Sequence, residues 1–430
     1  MIGIINPFRT SVCKLRKLLA IRLNARKSIV VADEFLPWLG LSFSSLQSIL
    51  RRKGVNAIPL SSIRLTSPSG SIDLHTYEFC RNIAEYPALV ELEDCSPDIS
   101  PVYNELLDKW TKHLSNLVSN ITSFFKEVNL CGVVIVHGFE PTNAALRASA
   151  ILSSVPCLAI ENTSRPDRVI WDNIASYACV DNLSRNYYFR YKNLVSSSTV
   201  LKYRDMFTSE FIRNKSEEHR SCRYNDCQSN ELNQKNYVLF LGQVYTDAAT
   251  INCLNDWSSP LELLEYVVDW CIARGVELVV KLHPKELCGR DTITDKNYEK
   301  LTYRKIADNP RLATKLDKCA YIDSENTLDT VSLIKSSAFV VTLTSQAGIE
   351  AAILGKAVVI GGRSTYSGLG FTYDAPSPWL LDAQLSQAWS NKNLDLSFEA
   401  SRYAYIYFEI YCINKSEECL ADLCVSSFLK

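Results

Sequence analysis

Long apolar runs, paired cysteines and an excess of charge of either sign are all missing from this chain. No stretch reaches the roughly 18 apolar residues a membrane-spanning helix needs, so a membrane-embedded fold is not expected. The 15 cysteines include no C-x-x-C pair, which excludes the usual zinc-gripping and dithiol motifs and suits a reducing compartment. Lys and Arg number 46 against 47 Asp and Glu. No overall field therefore draws the chain to nucleic acid, and any charged ligand must be met by a local patch. No D-x-D pair of carboxylates stands at a strand end of the C-terminal half to hold a divalent cation, so no metal is expected to be needed for ligand binding there. Internal repeats and low-complexity tracts are absent as well.

What is present is alternation. The 430 residues suit two domains of about 200 residues each. "SIVVAD" (28 to 33), a helical pattern through "SLQSILRRKG" and "NAIPL" read as strand, helix, strand. So do "GVVIVHG" (132 to 138), "TNAALRASAILS" and "PCLAIE", which ends at Glu161. The alternation restarts at "YVLFLG" (237 to 242) and continues through "VELVVKLHP", "AFVVTL" and "AVVIGG". Short β-rich runs punctuated by helices, glycine and proline predict parallel sheets covered on both faces. The expected architecture is α/β: an N-terminal Rossmann-like domain over 1–212, a polar linker over 213–235, a C-terminal Rossmann-like domain over 236–385 and an aromatic helical tail over 386–430, packing back on the domains. A ligand of such sheets sits at the carboxyl ends of the strands, which predicts a cleft facing both domains.

Two further segments carry alternatives. "FRTSVCKLRKLLAIRLNARK" spaces Leu and Ile near helical periodicity with cations between them. That pattern suits an anionic membrane surface, but an ordinary first helix with a solvated basic face is the preferred reading. Arg16, Lys17, Arg22 and Arg26 interrupt its apolar residues, unlike a secretory signal. His219, Cys222 and Cys227 form a local group in the polar linker but lack a fourth ligand, so they are read as incidental.

The chemistry-bearing residues fall at strand ends. In "VKLHP", Pro284 ends the strand and holds His283 in extended geometry. Lys281, two residues back, shares its face by the two-residue period, and an ammonium beside an imidazole suits a phosphate. Thr344 and Ser345 end a later strand and begin "QAGIEAAILG", a hydroxyl-bearing helix start of the kind that binds anions. Gly348 allows close backbone approach, and Glu350 is placed to accept from ribose hydroxyls. After "YVLFLG", Gln243 and Asp247 lie in the next loop, where a carboxylate suits a cationic sugar centre.

In order, "GQVYTDA" (242 to 248), "KLHP" (281 to 284), "TSQAGIEAAILGKAVVIGG" (344 to 362) and "YSGLGFTYD" (366 to 374) resemble the bacterial capsule-polysaccharide biosynthesis family of retaining β-Kdo transferases. That family is similar to GT-B-type glycosyltransferases, and the resemblance is best over about 236 to 375. It implies that Lys281, His283, Pro284, Thr344, Ser345, Gly348 and Glu350 bind the nucleotide of a CMP-activated sugar donor, which is a substrate, with no cofactor needed. It implies Asp247 as nucleophile and Glu161 as acid and base. Gln243, Arg165, Tyr366, Gly368 and Thr372 would contact the sugar, with Arg165 pairing its carboxylate. Two stretches depart from the family pattern: Leu369 stands where tryptophan is usual, and "ENTSRP" (161 to 166) replaces E-D-G-F.

The resemblance implies a cytoplasmic glycosyltransferase moving an ulosonic acid, Kdo first, onto a cell-surface glycan or glycolipid acceptor, with peripheral contact at the inner membrane and no nucleic-acid partner. The alternatives are a GT-B transferase for another nucleotide sugar or polyol phosphate, and a non-catalytic subunit of a polysaccharide-assembly complex.

Overall fold

The computed structural model describes residues 27–63, 73–96, 100–174, 183–211, 236–287, 293 and 299–429. The basic N-terminal segment, the polar linker and the His219, Cys222, Cys227 group lie outside these residues.

Contacts divide the chain into two compact units. One comprises Met1–Glu85, Glu105–Asn182 and Cys412–Lys430, the other Tyr86–Asn104 and Leu183–Tyr411. Residues 86–104 and 183–211, expected with the N-terminal domain, group with the second unit. Cys95 is part of that unit's apolar core, Asp94 accepts from Lys305 Nζ at 3.3 Å, and the helix Ser197–Met206 packs on Ser397–Tyr405.

In the first unit, the strands β1 (Ser28–Val31), β2 (Asn56–Pro59), β3 (Leu130–Val136) and β4 (Cys157–Asn162) pair in parallel in the order β2-β1-β3-β4. The strands β5 (Arg168–Asp172) and β12 (Ile413–Asn414) add an antiparallel edge. β1 and most of β3 and β4 are buried as continuous apolar runs, as strands covered on both faces must be. The C-terminal helix Glu417–Phe428 closes this unit: its Phe428 ring occupies the space where Gly132 of β3 lacks a Cβ. Ser42 N–H donates to Glu417 Oε1 at 2.9 Å and Lys53 Nζ to Asp422 Oδ1 at 2.8 Å, so the helix is also held by polar contacts.

The second unit contains β6 (Tyr237–Leu241), β7 (Glu277–Lys281), β8 (Ala320–Asp323), β9 (Phe339–Thr342), β10 (Val358–Ile360) and β11 (Tyr373–Asp374). All pair in parallel in the order β11-β10-β9-β6-β7-β8. Counted from β6, that is the dinucleotide-fold order 3-2-1-4-5-6, whose switch point lies between β6 and β9. The α/β class with two doubly wound Rossmann-type sheets and a helical C-terminal stretch, expected from the sequence, is the one observed among the described residues.

The aromatic tail belongs partly to this unit. Tyr403 packs on Phe371 at 5.7 Å and on Tyr188 at 5.6 Å between ring centroids. Tyr407 and Phe408 continue the cluster, so the tail covers the loop that precedes β11.

Candidate functional site

The switch point of the second sheet is closed by a side-chain clasp. Gly242 follows β6 and passes close to β7, donating its N–H to Lys281 O at 2.9 Å. Gln243 then turns across to the end of β9. Its Oε1 accepts Thr344 N–H at 2.7 Å, and its Nε2 donates to Thr344 Oγ1 at 2.8 Å. Gln243 and Thr344, expected as ligand contacts, thus use their polar groups first on each other and fix the two loops in register.

Beyond the clasp, Ser345 Oγ accepts Ala347 N–H at 3.2 Å, one residue ahead of the N-cap Gln346 of the helix Ala347–Ile353. Gly348 N–H bonds Ser345 O at 2.9 Å. The first turn of this short helix therefore already satisfies part of its own N–H set. The Ser345 hydroxyl, having accepted one bond, still carries a proton to donate. Gly348 is buried, and a Cβ there would overlap the Tyr366 hydroxyl. Its missing side chain makes room for tyrosine, which corrects the expectation that it admits a ligand.

Tyr366 is corrected too. Its ring is buried and stacked near Phe371, and its hydroxyl donates to Ser345 O. Burial pushes its pKa well above the ordinary tyrosine value, with Tyr403, Asp374 and Glu350 adding to the shift. It braces the helix start from below and does not face a sugar. Glu350 is likewise buried.

At the end of β7 the expected pair separates. Lys281 is only 4 % exposed, and its ammonium donates to Asp323 Oδ2 at 2.6 Å. The two residues are register partners at the ends of β7 and β8. Asp323 also accepts Thr327 N–H at 2.8 Å and Leu328 N–H at 3.1 Å. Burial lowers the Lys281 pKa, while Asp323 opposes that shift. Lys281 is thus a structural ion-pair partner and not a phosphate contact. His283 is half-buried, and its Nδ1 accepts Lys285 N–H at 3.2 Å. That bond places the neutral ring's proton on Nε2. Pro284 is exposed and starts the turn Pro284–Leu287.

Asp247 is exposed at the start of Ala248–Asn252, and its side chain makes no capping bond. Its loop is anchored by Glu286, a residue the motif reading passed over. Glu286 is buried and accepts Tyr245 N–H at 3.3 Å, Thr302 Oγ1–H at 2.6 Å and Thr302 N–H at 3.1 Å. Burial raises its pKa against those hydrogen bonds.

The loop before β11 is organised by Asp374, also unforeseen. It accepts Gly368 N–H at 2.9 Å and the Thr372 hydroxyl at 3.0 Å, while Arg185 Nη1 holds Ser367 O at 2.6 Å. Gly368 and Thr372 serve this loop's own closure, with Gly368 at φ +70. Burial raises the Asp374 pKa, the Gly368 and Thr372 bonds opposing it.

In the first unit, Glu161 is half-buried at the end of β4. Arg165 does not present an open fork: Nε and Nη2 donate to the two carboxylate oxygens of Asp167 at 3.0 and 2.8 Å. Burial alone would raise the Asp167 pKa, but Arg165 and Arg168 hold it below the ordinary value. The expected sugar-carboxylate partner is therefore already paired.

Among the described residues no group of His, Cys, Asp and Glu is arranged to hold a metal ion, and no helix is long and apolar enough to cross a membrane. A family profile described as capsule polysaccharide biosynthesis protein matches residues 140–395, more than half of the chain. The chain belongs to that family. No curated protein matches it by sequence. Among solved structures, it is similar to Thermosulfurimonas dismutans KpsC, a beta Kdo 2,7 transferase, at 18% identity over 69% of this chain and 82% of that one, with a TM-score of 0.43. It is similar to the Methanocaldococcus jannaschii UDP-GlcNAc 2-epimerase at 11% identity over 88% and 98%, with a TM-score of 0.35. Sucrose-phosphate synthase from Thermosynechococcus elongatus gives 10% identity over 93% and 98%, with a TM-score of 0.34.

Proposed function

We propose that this member of the capsule polysaccharide biosynthesis family is a glycosyltransferase that moves an ulosonic acid, Kdo, from its CMP ester to a glycan or glycolipid acceptor with retention. The observation that carries the reading is the second sheet's switch point, where the Gln243–Thr344 clasp holds the ends of β6 and β9. His283 stands at the end of β7, next to β6, with its proton on Nε2.

In this reading Asp247 attacks the anomeric carbon. The carbon–oxygen bond to CMP breaks, and the electron pair leaves with the phosphate, which the Ser345 hydroxyl and, by the family pattern, His283 stabilise. An acceptor oxygen then displaces the aspartyl ester and restores the original configuration. Its proton goes to Glu161, a role taken from the family pattern. The uncapped, exposed carboxylate of Asp247 supports the nucleophile assignment.

Calorimetry with CMP, UDP and GDP tests the donor. A ligand at 100 times its Kd stabilises the folded state by about 2.7 kcal/mol, so CMP should raise the melting temperature and the other two should not. A response to UDP or GDP alone assigns another donor class, and a response to none leaves the assembly-subunit reading. For the chemistry, Glu161→Gln incubated with CMP-Kdo should accumulate a covalent sugar adduct on Asp247 by mass spectrometry. An adduct elsewhere, or an inverted product by NMR, would falsify the double displacement.

A further inference from the structure

Arg165 spends the Nε and Nη2 edge of its guanidinium on Asp167, but a second arginine keeps the same edge open. Arg185 lies on the helix Ser184–Tyr191, within the stretch that groups with the second unit. Tyr188, one turn further on, shares its side of the helix. The Tyr188 ring packs on Tyr403, and Tyr403 packs on Phe371. That side of the helix is therefore turned toward the loop before β11. Arg185 reaches the loop directly, its Nη1 donating to Ser367 O at 2.6 Å.

Arg185 is half-buried, and among the described residues its Nε and Nη2 donate to nothing. Asp374, the carboxylate of this loop, accepts Gly368 N–H and the Thr372 hydroxyl and forms no ion pair with the guanidinium. The space beside Nη2 is bare. Where a Cβ would stand on Gly368, the one atom within 4 Å beyond its chain neighbours is Arg185 Nη2, at 3.6 Å, and at Gly370 there is none. Both glycines hold positive φ, +70 and +91, so the loop keeps a floor without side chains there. The same loop is tied to the candidate phosphate position, because the Tyr366 hydroxyl donates to Ser345 O. A guanidinium edge partly withdrawn from water and answered by no acceptor forfeits hydration, and an anion lying on that floor restores the lost bonds.

We infer that Arg185 recognises the carboxylate of the donor sugar, with Nε and Nη2 meeting its two oxygens above Gly368 and Gly370. This rests on the ulosonic-acid reading. A carboxylate on the anomeric carbon separates such a donor from a neutral hexose, so the contact sets specificity. The donor phosphate is the other anion that this edge suits, and the two are distinguished by comparing ligands with and without the sugar.

Dissociation constants of CMP and of freshly made CMP-Kdo for the full chain, read by ligand-detected NMR, test the assignment. Arg185→Met should weaken CMP-Kdo by about tenfold to a hundredfold and leave CMP within about twofold, since only the sugar's carboxylate loses its partner. Arg185→Lys keeps the charge and a donor for Ser367 O but not the fork, so it should weaken CMP-Kdo by about threefold to tenfold with CMP again unchanged. It carries the test if Arg185→Met melts early. Equal weakening of both ligands gives the edge to the phosphate and overturns the carboxylate contact. Unchanged CMP-Kdo binding in both variants overturns the subsite altogether. Wild-type protein that holds neither ligand removes the donor reading, and the subsite falls with it.

Discussion

Lys281 and His283 sit two positions apart in one strand end and do opposite jobs. The ammonium is matched to Asp323 in the interior, and removing it strands a buried carboxylate. Lys281→Met is expected to cost about 3–5 kcal/mol of unfolding free energy in urea titrations, as for other broken buried pairs. His283→Ala should leave stability nearly unchanged and weaken CMP binding by about 1–3 kcal/mol by calorimetry. Equal loss of CMP affinity in both variants, at equal stability, would restore Lys281 to the binding surface. The sequence makes the strand end legible, since proline must stop it. It cannot tell which of the two side chains is buried, because that is decided by Asp323, 42 residues away. Arg165 teaches the same lesson at shorter range, its fork already answered by Asp167.

Single elements here are set by what lies under them. The helix Ala347–Ile353 is legible as a helix start after a strand, but the reason for its glycine is the tyrosine hydroxyl beneath it. Gly348→Ala should therefore destabilise by about 1–3 kcal/mol through overpacking. Adding Tyr366→Phe should recover part of that loss, giving a non-additive cycle in thermal melts. The loop carrying Asp247 depends on Glu286 in a comparable way, across two loops rather than within a helix. Because burial raises the Glu286 pKa in the folded state, folding takes up a proton in the window between the unfolded and folded values. Its contribution is fully present below the unfolded pKa and is lost as pH rises through the folded one. The stability advantage of the wild type over Glu286→Gln should then be largest in acid and shrink toward neutrality, read as paired melting temperatures from about pH 4 to about pH 8. A gap that widens with pH contradicts the raised pKa.

For the molecule as a whole, alternation of apolar runs and helices was enough to predict two doubly wound sheets, because burial on both faces leaves a continuous signal in each strand. Membership of the units was not legible. Residues 86–104 and 183–211 are helical and loop segments whose partners lie far along the chain, and nothing local marks which core they join. The C-terminal helix belongs to the first unit for the same kind of reason, through Phe428 over Gly132. Phe428→Ala should cost about 3–5 kcal/mol. Hydrogen exchange should lose protection in β1 to β4 while β6 to β10 and CMP affinity stay as they were.

The return of the chain to its first sheet also sets an order in time. β5 ends at Asp172, and its edge partner β12 begins at Ile413, about 240 residues later. At a synthesis rate of about 5–20 residues per second, that edge waits roughly 10–50 s on the ribosome for its neighbour. The second sheet, whose strands run from Tyr237 to Asp374, has all its members available sooner. A chain truncated after Tyr411, which completes the second unit, should thus display a protease-resistant second unit beside a first sheet with one edge still open to solvent and to chaperones.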